Sequence, residues 1–354
     1  VDLLDGDSYF HLRQARQILT GQGLLQRWDP FSQFPHGERG INQGLYDLVL
    51  AVGTLGNPNR LEAVAAWAPV LFSGLSLVLL WLLMARHRSP VAALVGPGLL
   101  LLYPGPLSSY GSLGYADHHA WEVFCSLLFL HSMDRLLRPA AKVWVAAIPT
   151  LLLLYSWAGA ALYLVLAGFI FLVAVLVDLR PARVVLQWSG VLILTYILPT
   201  LCFPDLQMGR AYWLASCIAL GGLTVSIPVF QFLRERRHNL FIALLLLAML
   251  GLIAAVPSLR SMVIALLEPR PTSIAEHESI TPALLWGYYG PLTLAAALAA
   301  LLPWRTFAKD SSVALWVGSG GLLFLWLRTL DFSYLGPTSV ALLSGMFLTA
   351  PGTA

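Results

Sequence analysis

The sequence predicts an all-α polytopic membrane protein. Three observations predict it. Of 354 residues, 58% are hydrophobic and only 11% are charged, against about 25% charged in soluble domains. The mean hydropathy is +0.75. The apolar residues run continuously over helix-length stretches instead of alternating as on the strands of a lipid-facing barrel. A water-soluble enzyme, a disordered tail and a disulfide scaffold are excluded on the same grounds. The net charge of +3 comes without a basic block, so no nucleic-acid partner is expected. Cys125, Cys202 and Cys217 sit inside apolar runs and read as small core residues.

Taken in order, residues 1–60 are too polar to span and read as a first external loop. Phe10 to Leu19 is amphipathic and helical in pattern, and 44–57 is an apolar stretch too short to cross, suited to an interfacial helix. From residue 61 onward about eleven spans follow, at 61–85, 91–105, 119–136, 142–157, 159–177, 184–203, 212–233, 240–258, 282–303, 312–327 and 334–350. The domains expected are therefore the loop 1–60 and a transmembrane domain 61–354, which includes a long external loop at 259–281. The chain starts on Val1 and stops at Ala354 just after an apolar run; it is expected to be part of a longer chain.

Charge sets the orientation. One set of turns holds Arg86 and Arg88; Arg135, Arg138 and Lys142; Arg180 and Arg183; Arg234, Arg236 and Arg237; Arg305 and Lys309. By the positive-inside rule these twelve basic residues face the cytoplasm. Four of the eighteen acids share that side (Asp134, Asp178, Glu235, Asp310), and fourteen fall on the other.

Three clusters on the external side could carry chemistry. Asp5-Gly6-Asp7-Ser8 precedes the first helical stretch; paired carboxylates there could hold Mg²⁺ or Mn²⁺, or serve as helix caps. Asp117-His118-His119 offers oxygen and imidazole ligands just before the span at 119–136; its plain alternative is Asp117 as the N-cap. Ser273-Ile274-Ala275-Glu276 lies in the loop 259–281, otherwise a solvated charged loop. Independent caps would scatter over both faces, whereas all three clusters fall on one. Weaker candidates are His36 in a turn, Trp157 at a span end, where interfacial anchoring is common, and Arg328, which could snorkel or bind a lipid phosphate.

These motifs resemble the catalytic subunit of N-linked oligosaccharyltransferases, members of the GT-C membrane glycosyltransferases. Asp7-Ser8-Tyr9-Phe10-His11-Leu12-Arg13 is similar to the family's first-loop motif, Asp117-His118-His119 to its archaeal-type second motif, and Ser273 to Glu276 to its Ser/Thr-x-x-Glu motif. Trp28-Asp29-Pro30-Phe31, Phe34-Pro35-His36-Gly37 and Gly44-Leu45-Tyr46-Asp47 also resemble the first loop. The resemblance implies a GT-C fold and a metal-dependent, inverting transferase in a prokaryotic cell membrane, its site facing outside. The donor would be a glycan on a polyprenyl (pyro)phosphate carrier. The acceptor would be a polypeptide, with asparagine as the acceptor residue, and the enzyme a single subunit. Asp7, Asp117 and His119 would hold Mg²⁺ or Mn²⁺; Asp7 and Glu276 would meet the acceptor amide; His36, His118, Trp157 and Arg328 would contact the donor. The chain departs from the family at Tyr110 and Asp331, where an Arg is expected, and it has no Trp-Trp-Asp motif. The missing motif implies that a C-terminal soluble domain is absent from this stretch, and eleven spans against thirteen in the family imply that the first and the last span are absent too.

Two other readings compete. One is a GT-C enzyme that moves a single sugar from polyprenyl phosphate to lipid or polysaccharide. The other is a transporter or flippase without catalysis, although such sites usually lie near the bilayer midplane, away from these boundary clusters.

Overall fold

The structure is a computed structural model. It describes residues 3, 6–21, 44–102, 111–138, 142–156, 160–177, 179, 181–203, 210–235, 313–328 and 336–348. Among these, every regular element is helical. The expected spans at 240–258 and 282–303 lie outside the described residues. The chain divides into two compact units, one of residues 1–80, 107–165 and 186–222, the other of 81–106, 166–185 and 223–354.

In the first unit, α1 (Gly6–Leu19) buries Ser8, His11, Leu12 and Ala15, the one-face spacing of an amphipathic helix. Asp7 in its first turn and Arg16 in its last suit the helix dipole. It ends where Thr20 donates twice to the Arg16 carbonyl, from its amide at 3.0 Å and its hydroxyl at 3.1 Å. Gly21 then takes a left-handed φ of 76°. Helix α2 (Gly44–Gly53) buries Tyr46, Asp47, Leu50 and Ala51 and packs against α1. It stops short of the expected residue 57, because Leu55 and Gly56 turn left-handed and Asn57 caps a 3₁₀ turn, Pro58–Arg60. That turn leads into α3 (Leu61–Ala85).

After α4 (Val95–Leu102) comes α5 (His119–Leu136), a largely enclosed helix. Thirteen of its eighteen residues are buried, including Glu122 and Asp134. By contrast, among the described residues three stretches are long and apolar enough to cross a membrane, Pro58–Ala85, Ala182–Cys202 and Trp213–Glu235. They bury between 28% and 39% of their apolar windows. The charges on α5 are tolerated because the helix faces protein and not lipid. Asp134 is held by Arg138 Nη2 at 3.0 Å.

Helix α6 (Trp144–Ser156) packs on α5 and α2. Next come α7 (Ala161–Leu176), α8 (Ala182–Leu192), a π-helical stretch Ile193–Ile197 and α9 (Leu198–Cys202). The π-helix has a local cause. Pro199 has no N–H to give to the Thr195 carbonyl, and the Tyr155 hydroxyl donates to that carbonyl at 2.9 Å instead.

The remaining described helices are α10 (Arg210–Glu235), α11 (Val313–Arg328) and α12 (Gly336–Leu348). In the second unit α12 packs on α4 and α11. Gly96 and Gly345 leave room for the Met84 side chain: a Cβ at either would lie 2.3 Å from Met84 Sδ or 2.6 Å from its Cε. Small residues at such crossings let membrane helices approach closely.

Candidate active site at the head of helix α5

The site is built from α1, α2 and the N-terminus of α5. Gly114 has a left-handed φ of 91°, and its amide donates to the Ala66 carbonyl of α3 at 3.0 Å. This ties the segment before α5 in place and sets Asp117 at 2% exposure. Asp117 does not act as the N-cap: its Oδ1 accepts from the His118 amide at 2.6 Å, and His118 is the cap residue.

Three imidazoles surround this carboxylate. His118 Nδ1 lies 2.6 Å from Oδ1, His119 Nε2 3.2 Å from Oδ2, and His11 Nε2 3.6 Å from Oδ1. Burial alone would raise the Asp117 carboxyl, but hydrogen bonds to His11 and His118 and the charges of His119 and His118 hold it well below the usual carboxylate range. His11 comes from α1 and is locked by α2: its Nδ1–H donates to Asp47 Oδ1 at 2.6 Å. Burial would lower its pKa, yet Asp47 and Asp117 together raise it to about 10. Tyr46 meets the His11 ring edge-on at 5.0 Å.

Glu122, one turn into α5, closes the cluster from below. Its Oε2 lies 3.4 Å from His119 Nδ1. Its Oε1 is buried, makes no hydrogen bond and stands 3.5 Å from His118 Nε2. Behind it, Trp121 donates to Ser156 Oγ at 2.8 Å and packs edge-on against Phe72.

Of the residues predicted from sequence, Asp117, His118 and His119 converge. Asp7 is exposed in the first turn of α1, one turn before His11. Arg328 is the last residue of α11, in the second unit. His36, Trp157 and Glu276 lie outside the described residues. The structure adds His11, Asp47 and Glu122. Their signals were present in the sequence. Asp47 is the single charge in an apolar helix, and His11 falls on the buried face of an amphipathic one.

The cluster fits a divalent cation. Two overlapping groups, His11 with Asp117 and His118, and His118 with His119 and Glu122, each bring their donor atoms within 4.8 Å of one another. Three carboxylates here are at most 3% exposed, and buried negative charge demands a counterion. Mixed imidazole and carboxylate donors suit a first-row divalent metal, and Glu122 Oε1, without a hydrogen bond, is an oxygen donor available to the second group.

Fold and site together describe a helical membrane protein with a buried histidine–carboxylate centre at the head of a largely enclosed helix. Residues 3–281 match the family oligosaccharyl transferase STT3, N-terminal, and the chain belongs to that family. It is 31% identical over 159 residues to dolichyl-phosphooligosaccharide-protein glycotransferase 2 of Archaeoglobus fulgidus, a match covering 44% of this chain and 26% of that one. Its fold matches archaeal oligosaccharyltransferase AglB of the same organism, solved with an inhibitory peptide and a dolichol-phosphate. There the TM-score is 0.78 at 18% identity, covering 98% of this chain and 46% of that one. An Archaeoglobus fulgidus oligosaccharyltransferase solved with Zn and sulfate gives a TM-score of 0.71 at 18% identity, covering 98% and 45%. The chain thus spans less than half of the proteins it matches.

Proposed function

We propose that this chain is the membrane portion of an enzyme that transfers an oligosaccharide from a polyprenyl (pyro)phosphate carrier to asparagine in an acceptor polypeptide. The observation that carries the reading is Asp117, a buried carboxylate gripped by three imidazoles beside a bare Glu122 oxygen. Family membership supports it. So do the dolichol-phosphate and peptide bound by one structural neighbour and the Zn bound by another.

Asp117 and His119, with Asp7 from α1, would hold Mg²⁺ or Mn²⁺. Bound there, a divalent ion supplies positive charge against the developing charge of the leaving phosphate. The protein's own groups do the rest. His118, His36 and Arg328 donate hydrogen bonds to phosphate oxygens, and Trp157 packs on the carrier. Asp7 and Glu276 accept from the acceptor amide and aim its nitrogen at the anomeric carbon. A single displacement inverts configuration there. The basic turns between spans support an external-facing centre, in this reading on a prokaryotic cell membrane. In this reading residues 1–60 are a first external loop, residues 61–354 a transmembrane domain that includes the external loop 259–281, and one subunit suffices.

The test is Asp117→Ala and His119→Ala in the full-length protein, assayed for glycan transfer from a lipid-linked donor to a peptide. Both are expected to lose at least about 100-fold in rate. Near-wild-type transfer in both removes the metal-centre assignment.

A further inference from the structure

The buried pair Asp47–His11 has no place in the roles set out above, yet it points into the same centre. His11 Nδ1 is committed to Asp47 at 2.6 Å, with both side chains almost fully enclosed. A ring whose Nδ1–H is fixed on a carboxylate presents Nε2 as its ligand nitrogen, which is how metal-bound histidines are oriented. That Nε2 lies 3.1 Å from His118 Nδ1 and 3.6 Å from Asp117 Oδ1, and those two atoms are 2.6 Å apart. Donor atoms each about 2.1 Å from one ion are about 3.0 Å apart on an octahedral face and about 3.4 Å apart in a tetrahedron. The three observed separations bracket these values. Glu122 Oε1, buried without a hydrogen bond, faces His118 Nε2, the other nitrogen of that ring, and so lies outside this donor set.

We infer that His11 is a direct ligand of the divalent ion, with Asp47 as the carboxylate that orients it, so that the first-loop helices α1 and α2 close the metal centre around Asp117. This rests on the reading that the centre binds a divalent ion. Placing the ligand on α1 and its orienting carboxylate on α2 also gives those two helices a reason to pack together.

The test is Mn²⁺ binding to the 354-residue chain in detergent, followed by titration and by pulsed electron paramagnetic resonance, which counts coordinated imidazole nitrogens. The wild type is expected to show at least two such nitrogens. His11→Gln is expected to show one fewer and to bind Mn²⁺ at least about 10-fold more weakly. Asp47→Asn is expected to keep the nitrogen count and to lose about 10- to 100-fold in affinity. An unchanged nitrogen count and affinity in His11→Gln overturns the inference and leaves the centre standing. If His11→Gln does not fold, Asp47→Asn decides: affinity within twofold of wild type overturns it. A wild type that binds no Mn²⁺ overturns the metal centre itself.

Discussion

Asp117 Oδ2 lies 3.2 Å from His119 Nε2, two residues along the chain, and both project from the first turn of α5 and the segment leading into it. The same carboxylate meets His118 and His11 through its other oxygen. One buried charge therefore holds three imidazoles. Replacing it with Asn removes the charge and leaves one acceptor oxygen where there were two, with an NH₂ donor facing an imidazole. Asp117→Asn is expected to destabilise the protein by about 3 kcal/mol or more, read as a lowered thermal midpoint in detergent.

The metal-free protein should show a defined pH window. His11 has a folded pKa of about 10 against 6.5 when unfolded, with Asp47, Asp117 and His118 facing it. Its contribution to stability is complete below pH 6.5 and is lost as pH rises toward 10. Asp117 is shifted the other way: its contribution is complete above the unfolded value of 3.8 and is lost as pH falls below it. Thermal unfolding in chelator is expected to show a plateau between those limits. His11→Gln should flatten the alkaline limb; a limb that stays as steep assigns it to another group.

Trp121 gives its indole N–H to Ser156 at 2.8 Å, with both side chains buried. Ser156→Ala leaves that donor without an acceptor and is expected to cost about 1 kcal/mol. Because the bond ties the head of α5 to the end of α6, the same variant should raise hydrogen exchange at the start of α5. Unchanged exchange there means the helix head is held by other contacts.

Packing around Met84 separates two glycines. At Gly96 an added methyl overlaps the flexible Met84 side chain and meets the Ala341 carbonyl only at an ordinary 3.6 Å, so Gly96→Ala is expected to be mild. At Gly345 the new atom also comes within 3.3 Å of the Gly96 backbone. Gly345→Val is therefore expected to destabilise by about 1–3 kcal/mol, measured by thermal unfolding of the two variants side by side.

Much of the fold was legible because the signals were local. Helices α3 and α5 begin and end at the apolar-run boundaries, residues 61–85 and 119–136. Hydropathy did not separate lipid-facing helices from enclosed ones: α5 carries Glu122, Asp134 and Arg135 and is the more buried for it. Asp117, His118 and His119 were found because they are contiguous. Asp47 and His11 were not, since their pairing spans 36 residues and depends on how α1 and α2 pack. Asp47 read as one acid in an interfacial helix. Glu122 read as part of a span; its contact with His119 and its unbonded second oxygen mark it as a member of the site.

The central claim is that the centre at the head of α5 drives glycan transfer with a divalent ion. The most direct measurement is transfer of an oligosaccharide from the proposed polyprenyl (pyro)phosphate-linked donor to an asparagine-containing peptide by the full-length protein, after chelation and again after adding back Mn²⁺. The account predicts that activity disappears on chelation and returns with Mn²⁺ in the wild type, and does not return in Asp117→Ala. Transfer that persists in chelator, or that Mn²⁺ restores equally in Asp117→Ala, contradicts it.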